Sequence, residues 1–183
     1  LYGIDTDGGM GEYAVIPDDQ IIPLPDSVSD KLGAFIEPVA VAVHALRETG
    51  FVPGDNALVF GCGTIGLCVA LTLRYFGARE VLLAETDSSR GALAEKMGFE
   101  VINPSAEDLR DIVNRKTNGD GFDRVYDCAG AQPVADLLLD MVKVKGQVVI
   151  VASYKKPAEL PLFKGMAKEL SIRFTRVYRK KDF

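Results

Sequence analysis

The chain has 183 residues, 48% hydrophobic and 26% charged, with a net charge of −5 at neutral pH. That length suits one domain, or one domain plus a piece of another, and the balance allows a buried core without disulfides or a structural metal. No basic block favours nucleic acid or an anionic membrane surface, and no uninterrupted apolar stretch is long enough to span a bilayer. The three cysteines, Cys62, Cys68 and Cys128, are odd in number and form no CxxC pair, which points to reduced thiols in a cytoplasmic protein. A start at Leu1 and a stop at Phe183, just after a strand-like run, are read as the ends of an excised piece of a longer protein.

Taken in order, the β-type runs between Glu12 and Leu24 are bounded by prolines and suit edge strands, with Pro23 and Pro25 opening a linker. From Ser29 to about Thr49 apolar residues recur at helical spacing and Gly50 supplies a stop, while Pro38 predicts a kink or two consecutive helices. Strands and helices then alternate. Strands are expected at 57–60, 81–84, 100–102, 123–126, 147–151 and 170–178, with helices at 65–76, 88–97, 105–116 and 133–142. Six strands joined by helices of about ten residues imply right-handed crossovers and a parallel sheet covered on both faces. The expected fold is a doubly wound, six-stranded Rossmann-type α/β domain preceded by a short N-terminal segment.

The first strand runs into Gly61-Cys62-Gly63-Thr64-Ile65-Gly66, which opens the first helix of the alternating region. In that setting Gly61 permits the tight turn, Gly63 lets the backbone approach a pyrophosphate, and Gly66 permits close helix–strand packing. The amides of Thr64 and Ile65 would face phosphate, helped by the helix dipole. A glycine-rich turn alone is weak evidence. Glu85, 19 residues beyond Gly66 at the end of the second strand, adds an acceptor for the hydroxyls of an adenosine ribose. Its charge would repel a 2′-phosphate, so NAD is expected rather than NADP. Arg90 is read equally as an exposed helix residue or as a contact for adenine.

At these residues the chain resembles the zinc-dependent medium-chain dehydrogenases, in particular the sorbitol and butanediol dehydrogenase branch. Gly8-Gly9-Met10-Gly11-Glu12-Tyr13, Glu37-Pro38, Val41-Ala42-Val43-His44-Ala45, Asp127-Cys128-Ala129-Gly130 and Gly146-Gln147-Val148-Val149 carry the resemblance in order and spacing. It implies that residues 1–28 are the tail of a GroES-like catalytic domain, 29–178 the NAD-binding domain and 179–183 the start of a return to the first. It implies oxidation of an alcohol or diol by hydride transfer to NAD, with zinc bound elsewhere in the full-length enzyme and Glu37 beside the metal. It also implies nicotinamide contacts at Val151, Ala152 and Ser153. Ala152 stands where a glycine is common, and Val177 departs from the arginine of sorbitol dehydrogenases.

Cys128 is read as a small wall residue near the cofactor rather than a nucleophile, and His44 as a packed helix histidine, so no catalytic residue is assigned to this chain. The resemblance also implies that Pro161-Leu162-Phe163 and the last strand correspond to the family's subunit-joining edge, with a homodimer or homotetramer acting on a small-molecule alcohol expected. A zinc-free quinone or enoyl reductase, a methyl-donor-dependent methyltransferase and a non-catalytic NAD sensor are the alternatives.

Overall fold

The computed structural model describes residues 2–183. The chain divides into two compact units after Phe35. In the first, Tyr2 and Thr6 form an isolated parallel bridge, and a 3-10 turn covers Asp18–Gln20. The edge strands expected over Glu12–Leu24 are absent among the described residues, and Tyr13 and Val15 stand exposed. Their β-type composition is not enough, because a strand forms only where a neighbour accepts its backbone hydrogen bonds.

Helix α1 (Asp30–Glu48) contains Pro38 yet is one helix, not two. Proline removes one backbone donor and leaves one carbonyl unpaired. Ala34, four residues earlier, is exposed, so water can serve that carbonyl.

The second unit carries the alternating elements: β1 (Asn56–Phe60), α2 (Thr64–Tyr75), β2 (Glu80–Ala84), α3 (Ser88–Lys96), β3 (Glu100–Ile102), α4 (Leu109–Thr117), β4 (Phe122–Asp127), α5 (Gln132–Met141), β5 (Val142–Ile150), α6 (Leu162–Ala167) and β6 (Ser171–Phe174). The sheet order is β3-β2-β1-β4-β5-β6, and every adjacent pair is parallel. All five residues of β1 are buried, as the continuous apolar run Ala57–Phe60 requires of a strand covered on both sides. Alternation sorts them. Leu58 and Phe60 pack with Val113 of α4 and Leu138 of α5, whereas Ala57 and Val59 pack with Leu46 of α1 and Val69 and Leu73 of α2.

Four local expectations change, the first being that β5 begins at Val142, five residues before the expected start at Gln147. The last strand ends at Phe174 rather than Tyr178. Its ladder closes with the Thr175 amide on the Ile150 carbonyl, and Val177 then takes a left-handed backbone, φ 56°. Leu162 and Phe163 lie in α6, a two-turn helix not anticipated from the sequence, because Pro161 can start a helix as readily as it ends a strand. Helix α4 begins at Leu109 rather than near Ser105, since the Asp108 carboxylate caps it.

Candidate functional site

The crossover from β1 to β2 lies left of β1 in the strand order and that from β4 to β5 lies right, so the chain reverses direction at the β1–β4 boundary. In open α/β sheets the crevice outside the strand ends at this reversal is where ligands bind. The ends of β1 and β4 meet there, with the Cys128 amide donating to the Phe60 carbonyl at 2.9 Å.

The glycine turn is built by its own crowding. Gly61 has φ 95°, and its amide donates to the Ala84 carbonyl at 2.8 Å. A β-carbon on Gly66 would lie 1.9 Å from the Gly61 carbonyl oxygen, so only glycine fits the first turn of α2. Gly63 differs: a β-carbon there would meet no protein atom within 4 Å. No side chain caps α2, so the amides of Thr64 and Ile65 open its first turn without a capping acceptor. Thr64 is exposed and Ile65 half-buried.

Glu85 lies immediately past β2, and β2 pairs directly with β1. Its Oε2 accepts from the Cys62 amide at 2.7 Å, while Oε1 accepts from the amides of Thr86 and Asp87 at 2.8 and 2.9 Å. The carboxylate is thereby oriented between the glycine turn and the start of α3, with lone pairs remaining on both oxygens. The Cys62 thiol is pushed up to about 12, first by burial and then by the Glu85 charge, with the Arg90 guanidinium opposing. The Arg90 side chain is itself exposed.

Opposite the turn, β4 ends at Asp127, which is fully buried. Its Oδ1 accepts from the amides of Ala129 and Gly130, each at 2.9 Å, and its Oδ2 from the Tyr154 hydroxyl at 2.6 Å. Its carbonyl accepts from the amides of Val151 and Ala152 at 3.0 and 2.9 Å. One residue thus ties the Cys128 loop to the segment after β5 that holds Val151, Ala152 and Ser153. Sequence reasoning missed this organising role; an aspartate closing the run Val125-Tyr126-Asp127 at a strand's carboxyl end was the available signal. Burial, joined by the Asp127 charge, raises the Cys128 thiol, so it is protonated and a poor nucleophile.

Glu37 of α1 is exposed. Its charge adds to burial in raising the Cys68 thiol and, again after burial, in raising the Tyr178 hydroxyl. Glu37 therefore stands beside α2, on the helix that supplies Leu46 to the core. His44 is a buried structural residue: its Nδ1 lies 2.7 Å from Oδ2 of Asp182, a partner 138 residues away. The Arg179 amide at 2.8 Å and Arg47 at 3.3 Å complete the Asp182 carboxylate shell and hold the carboxyl below its ordinary range against the opposing effect of burial.

Fold and strand-end geometry define a doubly wound Rossmann domain with an uncapped glycine turn at its reversal point. Residues 64–183 match the zinc-binding dehydrogenase family, and the chain belongs to it. It is 37% identical over 148 residues to (R,R)-butanediol dehydrogenase of Saccharomyces cerevisiae, covering 79% of this chain and 39% of that protein. Among solved structures, an alcohol dehydrogenase from Escherichia coli CFT073 complexed with NADH superimposes with TM-score 0.90 at 26% identity, over 100% of this chain and 54% of that one. A zinc-binding dehydrogenase from Sinorhizobium meliloti 1021 bound to NADP gives TM-score 0.87 at 28% identity, over 99% and 54%. The chain spans about half the length of the curated relatives it matches, for example 53% of a relative to which 99% of this chain aligns.

No helix among the described residues is long and apolar enough to cross a membrane. Nor do the described residues contain a group of three or more histidine, cysteine, aspartate or glutamate side chains able to hold a metal ion. Glu37 could contribute one ligand, and the other described side chains do not complete a zinc site around it.

Proposed function

We propose that this chain is the NAD-binding part of an alcohol or polyol dehydrogenase, with residues 29–178 as the cofactor unit, 1–28 as the tail of a catalytic domain and 179–183 as the start of the return to it. One observation carries the reading: the Glu85 carboxylate accepts from the Cys62 amide inside the glycine turn, which would put a ribose acceptor next to a diphosphate held by that turn. The open space at Gly63 and the uncapped start of α2 fit a pyrophosphate approaching the Thr64 and Ile65 amides. Glu85 would take the ribose hydroxyls and disfavour a 2′-phosphate, while Arg90 would lie along the adenine side.

Val151, Ala152 and Ser153, with Cys128 as a small wall, would border the nicotinamide end. Hydride acceptance from an alcohol carbon is the chemistry a nicotinamide supplies there. In this reading this chain's residues orient the nicotinamide ring. Glu37 is placed at the metal side of the full-length enzyme. The apolar, exposed Leu162, Phe163 and Met166 beside edge strand β6 support a second copy at that edge, and the three free thiols support a cytoplasmic setting.

The test is calorimetric binding of NADH and NADPH to the chain and to Glu85→Gln. NADH should bind the unsubstituted chain more tightly. The variant should lose about tenfold or more for NADH, as expected when hydrogen bonds to a charged acceptor are weakened, and little for NADPH. Equal affinity of the unsubstituted chain for both cofactors would overturn the NAD preference, and binding of neither would remove the cofactor role.

A further inference from the structure

A second concavity lies on the α5 face of the sheet, away from the glycine turn. Its volume is about 400 Å³, within the general range of small-molecule sites, about 300–1,000 Å³. Leu138 of α5, Ile150 of β5, Phe174 of β6 and Leu160 of the intervening loop form an apolar floor. Lys155 and Lys156 stand at its rim, both exposed. Among the described residues neither has an ion pair or hydrogen bond, unlike neighbouring Lys164, which holds Asp140 at 2.6 Å, and Lys168, which caps three carbonyls. None of Gly61 to Gly66, nor Glu85, lines this space.

The lining dictates the ligand. Its one hydroxyl, on Tyr154, is committed to Asp127 at 2.6 Å, and the two buried side-chain atoms left without a partner, in Tyr126 and Thr175, belong to residues that do not line it. No side chain of the floor offers a hydrogen bond to a sugar, a base or a peptide. An apolar floor beneath two uncommitted cations matches a hydrocarbon chain ending in a single negative charge. We infer that this pocket binds a medium-chain carboxylate, its alkyl chain on Leu138, Ile150 and Leu160 and its head group between Lys155 and Lys156. The site does not depend on the cofactor reading. It adjoins the strand-end loop through Tyr154, whose hydroxyl rests on the aspartate that holds Val151 and Ala152.

Octanoate is the probe, followed by methyl-labelled NMR of the full chain, with octanol as the uncharged comparison. Octanoate should shift the Leu138, Ile150 and Leu160 methyl signals saturably, and octanol should bind several-fold more weakly. The exposed positions allow variants that leave the core intact. Lys155→Glu with Lys156→Glu should weaken octanoate about tenfold while leaving octanol unchanged. Ala158→Trp, at the pocket wall, should abolish binding of both. No saturable shift up to about 10 mM octanoate, a range that still detects millimolar affinity, overturns the assignment. So does binding indifferent to the lysine reversal or to Ala158→Trp. NADH titration of the same variants keeps the two sites distinguishable, because octanoate binding can fail while NADH binding persists, and the reverse.

Discussion

The starts of α2 and of α3 and α4 are built on opposite plans. Asp87 caps α3 through the amides of Ser89 and Arg90, and Asp108 caps α4 through those of Arg110 and Asp111. At α2 the cap position is Gly63 and no side chain serves the first amides. A helix start normally gains about 1 kcal/mol from an aspartate cap, so omitting it where two neighbouring helices have one leaves donors available for an external anion. The starts of α5 and α6 also lack a side-chain cap, so what sets α2 apart is an uncapped start combined with open space at Gly63.

Gly66→Ala should cause the largest effect, because its β-carbon would fall 1.9 Å from a backbone oxygen. A loss of about 4 kcal/mol or more is expected, read by thermal unfolding, whereas Gly63→Ala should stay within about 1 kcal/mol. Equal losses at the two glycines would erase the distinction between fold and site. Gly63→Asp next converts α2 to the plan of its neighbours. It should raise stability by a few tenths of a kcal/mol and lower NADH affinity on the order of 100-fold, through lost approach and like charge. An unchanged affinity would mean that the α2 amides do not hold phosphate. Removing a cap outright, Asp108→Ala, should cost about 1 kcal/mol in denaturant unfolding and leave NADH binding alone.

The smallest effect is pH-dependent. Asp87 is held below its ordinary value of 3.8, first by the Ser89 hydroxyl and then by the Arg90 amide. A carboxyl lowered in the folded state stabilises above its unfolded pKa and loses that contribution as pH falls through the folded value. Protection of the Ser89 and Arg90 amides in hydrogen exchange should therefore be level at neutral pH and decline only below about pH 4. Asp87→Asn should flatten that decline.

Much of this was legible from short-range pattern. The run Ala57–Phe60 followed by glycines 61, 63 and 66 specifies a buried strand, a tight turn and a helix, because each step depends on neighbours a few residues away. Strand adjacency made the pairing of Glu85 with that turn readable as well. The β-type residues 12–24 misled because composition without a partner makes no strand. The last strand was overextended for the opposite reason: Val177 carries β propensity but sits at φ 56°, a conformation costly for a branched residue and imposed by its surroundings.

The sequence by itself determined the alternation of strands and helices from β1 to β5, the glycine turn and the family, since periodicity, turn geometry and motif spacing are local quantities. Tertiary structure alone decided that His44 meets Asp182 across 138 residues, that Asp127 gathers the loops after β4 and β5, and that Lys155 and Lys156 are left unpaired above an apolar floor. Those outcomes depend on which distant surfaces are brought together to exclude water, and no local pattern encodes that choice.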